Sequence, residues 1–394
     1  MNISIILPTF SEFDPIVETL DSINNQIFKP VEIIIVDSSL TTEIQIIINK
    51  YKSSIPIIYH WIPKAYPGHA RNIGVNQSKS DTIAFLDSKT IPELNWLSDY
   101  INIYKNNDIF FIQGKTHYLA NNFFQNIVRS ATFGNHSHNT LPGSLIKKSF
   151  FLKLKGFNRN LRAGEDQEFI KKIYENNKSI YIPKKNYLNY KGLPNSLFNC
   201  LFKYFIYSIH TAKVNIQINI KYAYLIIFLI MSILLNNHLK NIYFFSFNKL
   251  YLDFIFLFFF LCLSISNIFL STVAKIVNMK KLTYIPHLIF FFVIFYLSFI
   301  YNNRITIFFE NYLNYFSHLG KIYFLFIISF SLFYRGIYLP LKRNINIKTL
   351  LPFNWAYISL IGLGIDIVKA PGYIAGGFIS PLIYLINVIK NKKK

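Results

Sequence analysis

The sequence lacks the residue patterns on which several protein classes depend. Only two cysteines, Cys200 and Cys262, occur in 394 residues, so no disulfide framework is expected. There is no Gly-x-Gly-x-x-Gly or Walker loop, which argues against dinucleotide and P-loop chemistry. Zinc-ligand spacings and RNA-binding signatures are also missing, so no nucleic-acid partner is expected. His136 and His138 have no third ligand at a matching spacing, and we interpret them as loop residues.

Acidic residues become scarce in the second half of the chain. Residues 1–192 contain 22 Lys or Arg and 16 Asp or Glu, whereas residues 193–394 contain 19 and 3, which gives net charges of +6 and +16. Long apolar runs begin at the same point, so the two halves are expected to lie in different solvents. Positive charge placed between apolar runs fits anionic lipid headgroups better than nucleic acid.

Short β-branched runs alternate with amphipathic stretches in the first 120 residues. Strands are predicted at Ile3–Leu7, Val31–Val36, Ile57–His60 and Thr82–Leu86, and helices at Pro15–Ile23, Thr42–Tyr51 and His69–Gln77. This alternation predicts an α/β domain, residues 1–192, built on a parallel sheet with helices on both faces. Ligands of such sheets bind beyond the carboxyl ends of the strands. Asp37 and Asp87 each follow a strand, so they should converge on one crevice.

The remaining residues predict a membrane-attached region. Residues 193–220 contain an amphipathic stretch, Leu197–Val214, that should lie on the bilayer surface. Residues 221–394 predict a membrane domain of about four to six hydrophobic helices, with apolar runs at Tyr222–Leu235, Leu252–Val273, Tyr284–Tyr301 and Ile322–Tyr334. Phe353–Ile389 is apolar but interrupted by Asp366, Lys369, Pro371 and glycines, which leaves two spans, a re-entrant pair or interfacial helices open.

The distribution of basic residues predicts which side of the membrane holds the first domain. The start of the chain has no basic segment before its apolar run, and Pro8 and Glu12 interrupt that run, so it is not a signal peptide. Basic connections at Lys275–Lys281 and Arg335–Lys348 fall on the same side as the first domain if four spans form. We therefore expect a multi-pass protein of the cytoplasmic membrane with its first domain in the cytoplasm.

Five short motifs follow one another in the first domain. They are Leu7-Pro8-Thr9-Phe10-Ser11-Glu12, Ile34-Ile35-Val36-Asp37-Ser38-Ser39, Gly68-His69-Ala70-Arg71-Asn72-Ile73-Gly74, Ala84-Phe85-Leu86-Asp87-Ser88-Lys89-Thr90, and Gly156-Phe157 followed by Gly164-Glu165-Asp166. Their order and spacing resemble the family 2 inverting glycosyltransferases, which have the A-type glycosyltransferase fold. The resemblance covers roughly residues 1–190. It implies a Rossmann-like domain that binds a nucleotide-diphosphate sugar.

The resemblance also implies roles for the motif residues. Pro8, Thr9 and Glu12 would lie near the base and ribose, and Asp37 would accept the N–H of the base. Each could instead form a turn or cap a helix. Arg71 and Asn72 would lie near the diphosphate, since a guanidinium matches phosphate oxygens. The alternative for Arg71 is an ordinary salt bridge on a helix.

The fourth motif departs from the family pattern. Asp87, Ser88 and Lys89 stand where members commonly have Asp-x-Asp, whose carboxylates bind Mg²⁺ or Mn²⁺ and neutralise the leaving diphosphate. Three interpretations remain open: Asp87 alone holds a metal, Lys89 supplies the positive charge itself, or the site is degenerate.

Glu165 and Asp166 match the Glu-Asp pair that precedes a helix in the family. The resemblance implies that Asp166 is the general base that removes the proton of the acceptor hydroxyl, with Glu165 beside it. Acidic residues also suit the first turn of a helix, and both roles are compatible. The chain lacks the Gln-x-x-Arg-Trp motif of processive members, which favours single sugar addition.

These inferences predict a transferase that acts on a lipid-linked or glycolipid acceptor during surface polysaccharide or glycolipid synthesis. The lipid acceptor follows from the membrane architecture rather than from a motif. One alternative, motivated by Lys89, is an inactive family member that serves as a membrane-bound binding or scaffold subunit. Others are a transport protein with a regulatory first domain, and transfer to a soluble acceptor. The sequence leaves the sugar, the nucleotide and the oligomeric state open.

Overall fold

A computed structural model describes residues 1–11, 13–105, 109–176, 179–214 and 329–391. The predicted apolar runs Tyr222–Leu235, Leu252–Val273 and Tyr284–Tyr301, and most of Ile322–Tyr334, lie outside these residues, as does Glu12. Within the described ranges, no helix combines the length and the apolar character needed to cross a membrane.

One mixed sheet organises the first domain. Its strands are β1 (Ile3–Thr9), β2 (Glu32–Asp37), β3 (Ile57–Trp61), β4 (Thr82–Phe85), β5 (Thr90–Pro92), β6 (Phe111–Tyr118), β7 (His138–Lys147), β8 (Ile180–Tyr181) and β9 (Leu188–Tyr190). The strand order is β3-β2-β1-β4-β7-β6-β9-β5, and β8 pairs with β6. The four predicted strands form within one or two residues of their expected bounds, because runs of β-branched residues suit a buried strand.

The sheet is entirely parallel only in its first half; in its second half β6 pairs in parallel with β8 and β9, and β5 is antiparallel to β9. Strands β3, β2, β1 and β4 are parallel, whereas β7 runs antiparallel to both β4 and β6. The prediction of a parallel sheet was therefore wrong for the second half. Two of its strands, β6 and β7, are the longest of the sheet with 8 and 10 residues, and their pairing includes a register shift between Ile112 and Gly114. Gly114 permits that shift, since a Cβ there would lie 2.0 Å from the carbonyl oxygen of Pro142.

Helices cover both faces of the sheet. They are α1 (Phe13–Asn24), α2 (Glu43–Lys50), α3 (Pro67–Gln77), α4 (Trp96–Lys105), α5 (Phe123–Thr132), α6 (Lys148–Lys153) and α7 (Glu165–Glu175). Two separate apolar cores result. One contains Ile5, Leu20 and Trp96, and the other contains Ile6, Phe85 and Phe169. Because neighbouring residues of β1 point to opposite faces, Ile5 and Ile6 belong to different cores.

The helical part of the structure packs against the first domain through α5. It comprises α8 (Leu197–Thr211), a π-helical turn (Tyr334–Tyr338), α9 (Leu339–Lys342), α10 (Ile347–Leu350) and α11 (Asn354–Asn391). Ile127 of α5 packs with Leu350 and Ile358, and Val128 packs with Cys200 and Ile365. Helix α8 is amphipathic, as predicted, with Cys200 buried and Phe198 74% exposed.

Helix α11 is continuous through the predicted interruptions. Phe353–Ile389 was expected to be broken near Pro371, yet a single helix of 38 residues runs from Asn354 to Asn391. The glycines permit close packing rather than a break: a Cβ on Gly372 would lie 1.8 Å from Ser208 Oγ, and one on Gly376 would lie 2.2 Å from the oxygen of Ile209. Tertiary packing against α8 therefore outweighs the local preference of proline and glycine.

Candidate active site

A cavity of about 930 Å³ opens at the carboxyl ends of β1 and β4. Pro8, Thr9 and Ser38 line one end of it. The hydroxyl oxygens of Thr9 and Ser38 are buried and have no hydrogen-bond partner among the described residues. A buried hydroxyl without a partner costs free energy, so these two groups are available to a polar ligand. They lie where the sequence predicts the base and ribose to bind.

Asp37 lies beneath this end of the cavity rather than in its wall. The side chain is fully buried, Oδ1 accepts hydrogen bonds from Ser39 N and Oγ at 2.9 and 2.5 Å, and Oδ2 accepts one from Tyr59 Oη at 2.7 Å. Burial and the Asp37 carboxylate raise the pKa of Tyr59 above its usual range. Asp37 therefore fixes the loop that carries Ser38, and its contact with the base stays a prediction.

Arg71 connects two of the predicted acidic residues. Its guanidinium donates to Asp87 Oδ1 at 2.8 Å and to Glu165 Oε1 at 2.9 Å, and it lies 5.5 Å from the centre of the Phe157 ring. The Nε–H has no partner among the residues that the structure describes. Arg71 is almost wholly buried but reaches the cavity wall. Its two terminal nitrogens therefore hold carboxylates, which is the salt-bridge alternative for this residue.

Asn72 binds backbone rather than lining the cavity. Its Nδ2 donates to the carbonyl oxygen of Phe157, and its Oδ1 accepts from the Phe157 N–H, both at 2.9 Å. The preceding Gly156 has a φ of 59°, and a Cβ there would lie 2.5 Å from Asn72 Oδ1. Glycine is thus required by both the left-handed backbone and the close approach. The Arg-Asn pair of α3 consequently fixes the segment that leads to Glu165.

The turn after β4 carries Asp87, Ser88 and Lys89 into the middle of the cavity wall. Thr90 Oγ1 donates to the oxygen of Asp87 at 2.6 Å, and Thr19 Oγ1 donates to the oxygen of Ser88 at 3.0 Å. A backbone hydrogen bond of 3.0 Å from Lys191 N to the oxygen of Lys89 ties the turn to the chain after β9. The positions of these side chains are therefore set by the backbone on both sides.

Lys89 passes closely over Gly192. A Cβ on Gly192 would lie 2.5 Å from Lys89 Cδ and 2.3 Å from the hydroxyl of Tyr190. The absence of a side chain at residue 192 therefore leaves room for the lysine stem along the cavity wall. This places an ammonium group one residue from Ser88 and two from Asp87, where a diphosphate would need positive charge.

Glu165 and Asp166 begin α7, after Gly164 with a φ of 86°. Glu165 is buried, and Asp166 is half-buried with Oδ1 accepting from Gln167 N at 2.7 Å. Burial raises the pKa of Asp166, partly offset by the positive charge of Arg71. Burial and the charge of Asp166 raise the pKa of Glu165 to about 7. A carboxylate with a raised pKa is a stronger base, which suits proton removal near neutral pH.

Two tyrosines that the sequence analysis did not single out lie beside these carboxylates. Burial raises the pKa of both Tyr118 and Tyr207, and the charges of Asp87 and Asp166 raise them further. Tyr118 is at the end of β6, and Tyr207 is on α8, which forms the far wall of the cavity. Neither belongs to a recognisable motif, and only the pairing of β6 and the packing of α8 bring them here.

Helix α8 also contacts the loop that precedes Glu165. His210 Nδ1 accepts the Arg162 N–H at 3.1 Å, and its ring meets the Tyr66 ring edge-on at 5.4 Å. Burial, together with the charges of Lys213 and Arg162, lowers the pKa of His210 to about 4. The imidazole is therefore neutral at physiological pH and keeps its acceptor nitrogen. Through it, α8 aligns the loop of Arg162 with the cavity.

The side chains do not fit a divalent-cation site. Within the described ranges, no group of three or more His, Cys, Asp or Glu residues could hold a metal. Asp87 is paired with Arg71, and Lys89 occupies the position of the second carboxylate. An ammonium group cannot coordinate a cation, and it would repel one. We therefore derive no catalytic step through Mg²⁺ or Mn²⁺.

Comparison with known proteins identifies the class of the first domain. Residues 4–164 match the profile of glycosyl transferase family 2. This match agrees with the resemblance inferred from the five motifs, and it covers most of the α/β domain that the structure shows.

Three relatives with named activities also match a part of the chain. A poly(ribitol-phosphate) beta-glucosyltransferase of Bacillus spizizenii is 29% identical over 46% of this chain and 31% of its own. The UDP-Glc:alpha-D-GlcNAc-diphosphoundecaprenol beta-1,3-glucosyltransferase WfaP of Escherichia coli is 36% identical over 28% of this chain and 43% of its own. The poly(ribitol-phosphate) beta-N-acetylglucosaminyltransferase TarP of Staphylococcus aureus is 29% identical over 46% of this chain and 59% of its own.

These matches are partial. The chain spans between about a quarter and three fifths of the length of the curated relatives it matches. Among solved structures, S. aureus TarS 1–349 in complex with UDP-GlcNAc has 19% identity over 55% of this chain and 68% of its own, with a TM-score of 0.40. A score at that level does not establish a common fold, and the class assignment depends on the family match.

Proposed function

We propose that the protein is an inverting glycosyltransferase that moves a single sugar from a nucleotide-diphosphate donor to a membrane-associated, lipid-linked acceptor. The observation that carries the proposal is the cluster in which Arg71 joins Asp87 of the cavity wall to Glu165, which Asp166 follows, together with two buried hydroxyls, those of Thr9 and Ser38, in the same cavity lining that have no partners among the described residues. The two hydroxyls suit a nucleoside, and the carboxylates suit proton transfer.

The residues of the cavity suggest how the reaction proceeds. Asp166 removes the proton of the acceptor hydroxyl, and the acceptor oxygen attacks the anomeric carbon. The bond from that carbon to the phosphate oxygen breaks as the new bond forms, so the configuration inverts. The nucleoside diphosphate leaves with the bonding electron pair, and Lys89 stabilises its negative charge. Arg71 keeps Asp87 and Glu165 in place.

Exposed aromatic side chains support attachment to a membrane. Phe198 is 74% exposed and Phe202 is 55% exposed, and their rings stack at 5.9 Å on α8. Phe123 of α5 and Phe353, which precedes α11, are also strongly exposed. An apolar surface of this kind suits the bilayer interface. The long apolar runs of residues 222–301 add to this argument from sequence alone.

The relatives suggest the pathway. The names of two of them specify a poly(ribitol-phosphate) acceptor, and that of WfaP specifies a diphosphoundecaprenol-linked sugar. We therefore propose a role in surface polysaccharide or glycolipid synthesis, with the catalytic domain on the cytoplasmic side, where nucleotide sugars are made. This placement agrees with the basic connections expected on that side.

The test is turnover by the full chain in membranes with a panel of nucleotide sugars and a lipid extract. Asp166→Asn should lower turnover by roughly 10²–10⁴-fold, because general base catalysis contributes that much. Glu168→Gln is the matched control: it alters another acid in the same helical turn, which pairs with Lys172 at 3.5 Å. Unchanged turnover in Asp166→Asn would refute the assignment of the base. Absence of transfer with every donor and acceptor, together with retained nucleotide binding, would favour the scaffold alternative.

A further inference from the structure

The cavity carries more positive charge than a nucleotide sugar requires. Among the described residues, six cationic side chains line the cavity, against one acidic side chain, Asp87; they are Lys64, Arg71, Lys89, Arg162, Lys191 and Lys203. Arg71 is neutralised by Asp87 and Glu165, and Lys191 pairs with Glu18. Lys89 lies where the donor diphosphate is expected. Arg162 and Lys203 lie beyond that point.

Arg162 and Lys203 converge on one aromatic ring. The Arg162 guanidinium lies 6.0 Å and the Lys203 ammonium 5.6 Å from the centre of the Tyr207 ring. Lys203 also lies 6.0 Å from the Tyr190 ring. Cation–π contacts hold such side chains in place. The two cations therefore form a fixed pair at the α8 wall.

This pair lies on the acceptor side of the reaction. Tyr207 is close enough to Asp87, Glu165 and Asp166 for their charges to act on its hydroxyl. The hydroxyls of Thr9 and Ser38, which suit the nucleoside, belong to a different part of the lining, at the end of β1 and after β2. A ligand held by Arg162 and Lys203 would thus be next to the base and separate from the nucleoside.

The segment of the chain that supplies Lys203 and both tyrosine rings contains no carboxylate. Residues 176–252, which include β9, α8 and the chain between them, contain no Asp or Glu. Two cations fixed on one ring favour an anion over a neutral sugar, and Arg and Lys together suit a phosphate ester. Building on the proposed function, we propose that Arg162 and Lys203 form a subsite for a phosphate or diphosphate group of the acceptor, close to the hydroxyl that receives the sugar.

Direct binding to the purified full-length chain tests this subsite. The protein is first saturated with whichever of UDP and GDP binds more tightly, and three fluorescent probes are then titrated. They are a prenyl diphosphate, a short polyol-phosphate oligomer, and the prenyl alcohol without phosphate. At least one phosphorylated probe should bind to the nucleotide-loaded protein. Preference for the first probe indicates a lipid source of the phosphate, and preference for the second indicates a polymer.

Arg162→Gln and Lys203→Gln should each weaken binding of the phosphorylated probe roughly tenfold, since each removes a charge-assisted hydrogen bond. Nucleotide affinity should not change. Lys153→Gln removes an exposed lysine outside the cavity and should have no effect on either ligand. The proposal fails if the nucleotide displaces the probe, if the alcohol binds as tightly as the diphosphate, or if the two cavity variants match Lys153→Gln. Because no turnover is measured, these outcomes are distinct from a failure of glycosyl transfer.

Discussion

Replacing Arg71 by methionine would leave Asp87 and Glu165 without their shared cation. The side chains of Arg71 and Glu165 are only 5% and 6% exposed, whereas that of Asp87 is 33% exposed. Breaking a buried ion pair from one side costs about 3–5 kcal/mol when the remaining charge stays buried and uncompensated. Because burial and the charge of Asp166 already raise the pKa of Glu165 to about 7, this carboxyl can take up a proton near neutral pH, which keeps the cost at the lower end of that range. The contact with Asp87 adds little, since water already screens that carboxylate.

We therefore expect Arg71→Met to lower the free energy of unfolding by about 3 kcal/mol. At roughly 2–4 °C per kcal/mol for a domain of this size, the unfolding midpoint should fall by about 6–12 °C, measured by intrinsic fluorescence during heating. Arg159→Met is the control. It alters an exposed arginine in the loop before Glu165 and should change the free energy of unfolding by less than about 0.5 kcal/mol.

A double substitution separates the ion pair from packing. Adding Glu165→Gln to Arg71→Met removes the buried charge, so the double variant should be more stable than Arg71→Met alone. If Arg71→Met melts at the temperature of the unaltered protein, or if the two substitutions destabilise additively, then the pairing of Arg71 with Glu165 does not stabilise the folded domain.

Three further predictions concern the pH dependence of turnover, the pH dependence of stability, and the fourth motif. Turnover requires ionised Asp166, whose pKa is raised by burial, so kcat should fall on acidification with a midpoint above that of an exposed aspartate. The free energy of unfolding should depend on pH in the opposite direction to kcat. A raised carboxyl pKa favours the protonated folded state, so the stabilising contribution of Glu165 should be lost as the pH rises through about 7. A pH–rate midpoint near that of a free aspartate would contradict the first expectation, and a flat melting temperature between pH 5 and 8 the second. Lys89→Asp restores an Asp-x-Asp motif, so its turnover should require Mn²⁺ and stop in EDTA, whereas the unaltered protein should keep its turnover in EDTA. Loss of the unaltered protein's turnover in EDTA would show that a metal acts despite Lys89.

The sequence predicts the first half of the sheet well because each strand there is encoded locally. Residues 3–9 and 32–37 are β-branched and apolar runs that end at polar residues, and the helices between them have regular apolar spacing. The strands β6 and β7 depend on pairing between residues that are about 30 positions apart, such as Phe111 and Ile146. No local pattern specifies that they are antiparallel.

The motifs predicted which residues surround the site but not what each side chain contacts. Arg71 and Asn72 are predicted near the diphosphate, and that contact stays a prediction; in the structure they hold Glu165 and the backbone of Phe157. The sequence motif places both residues near the middle of α3, but it does not define their hydrogen-bond partners. Tyr118, Tyr207 and Arg162 come from β6, α8 and the loop before Glu165, so only the tertiary structure shows that they meet.

The composition of the chain changes at residue 192, but this position does not separate two functional units, because α8 belongs to both. Its Tyr207 and Lys203 complete the wall beside the carboxylates, while its Ser208 and Ile209 pack directly on Gly372 and Gly376 of α11. A rotation of α11 would therefore move the wall of the cavity as well. In chimeras or truncated variants, the first domain and the helices that follow it consequently have to be kept together as one unit that extends to α11.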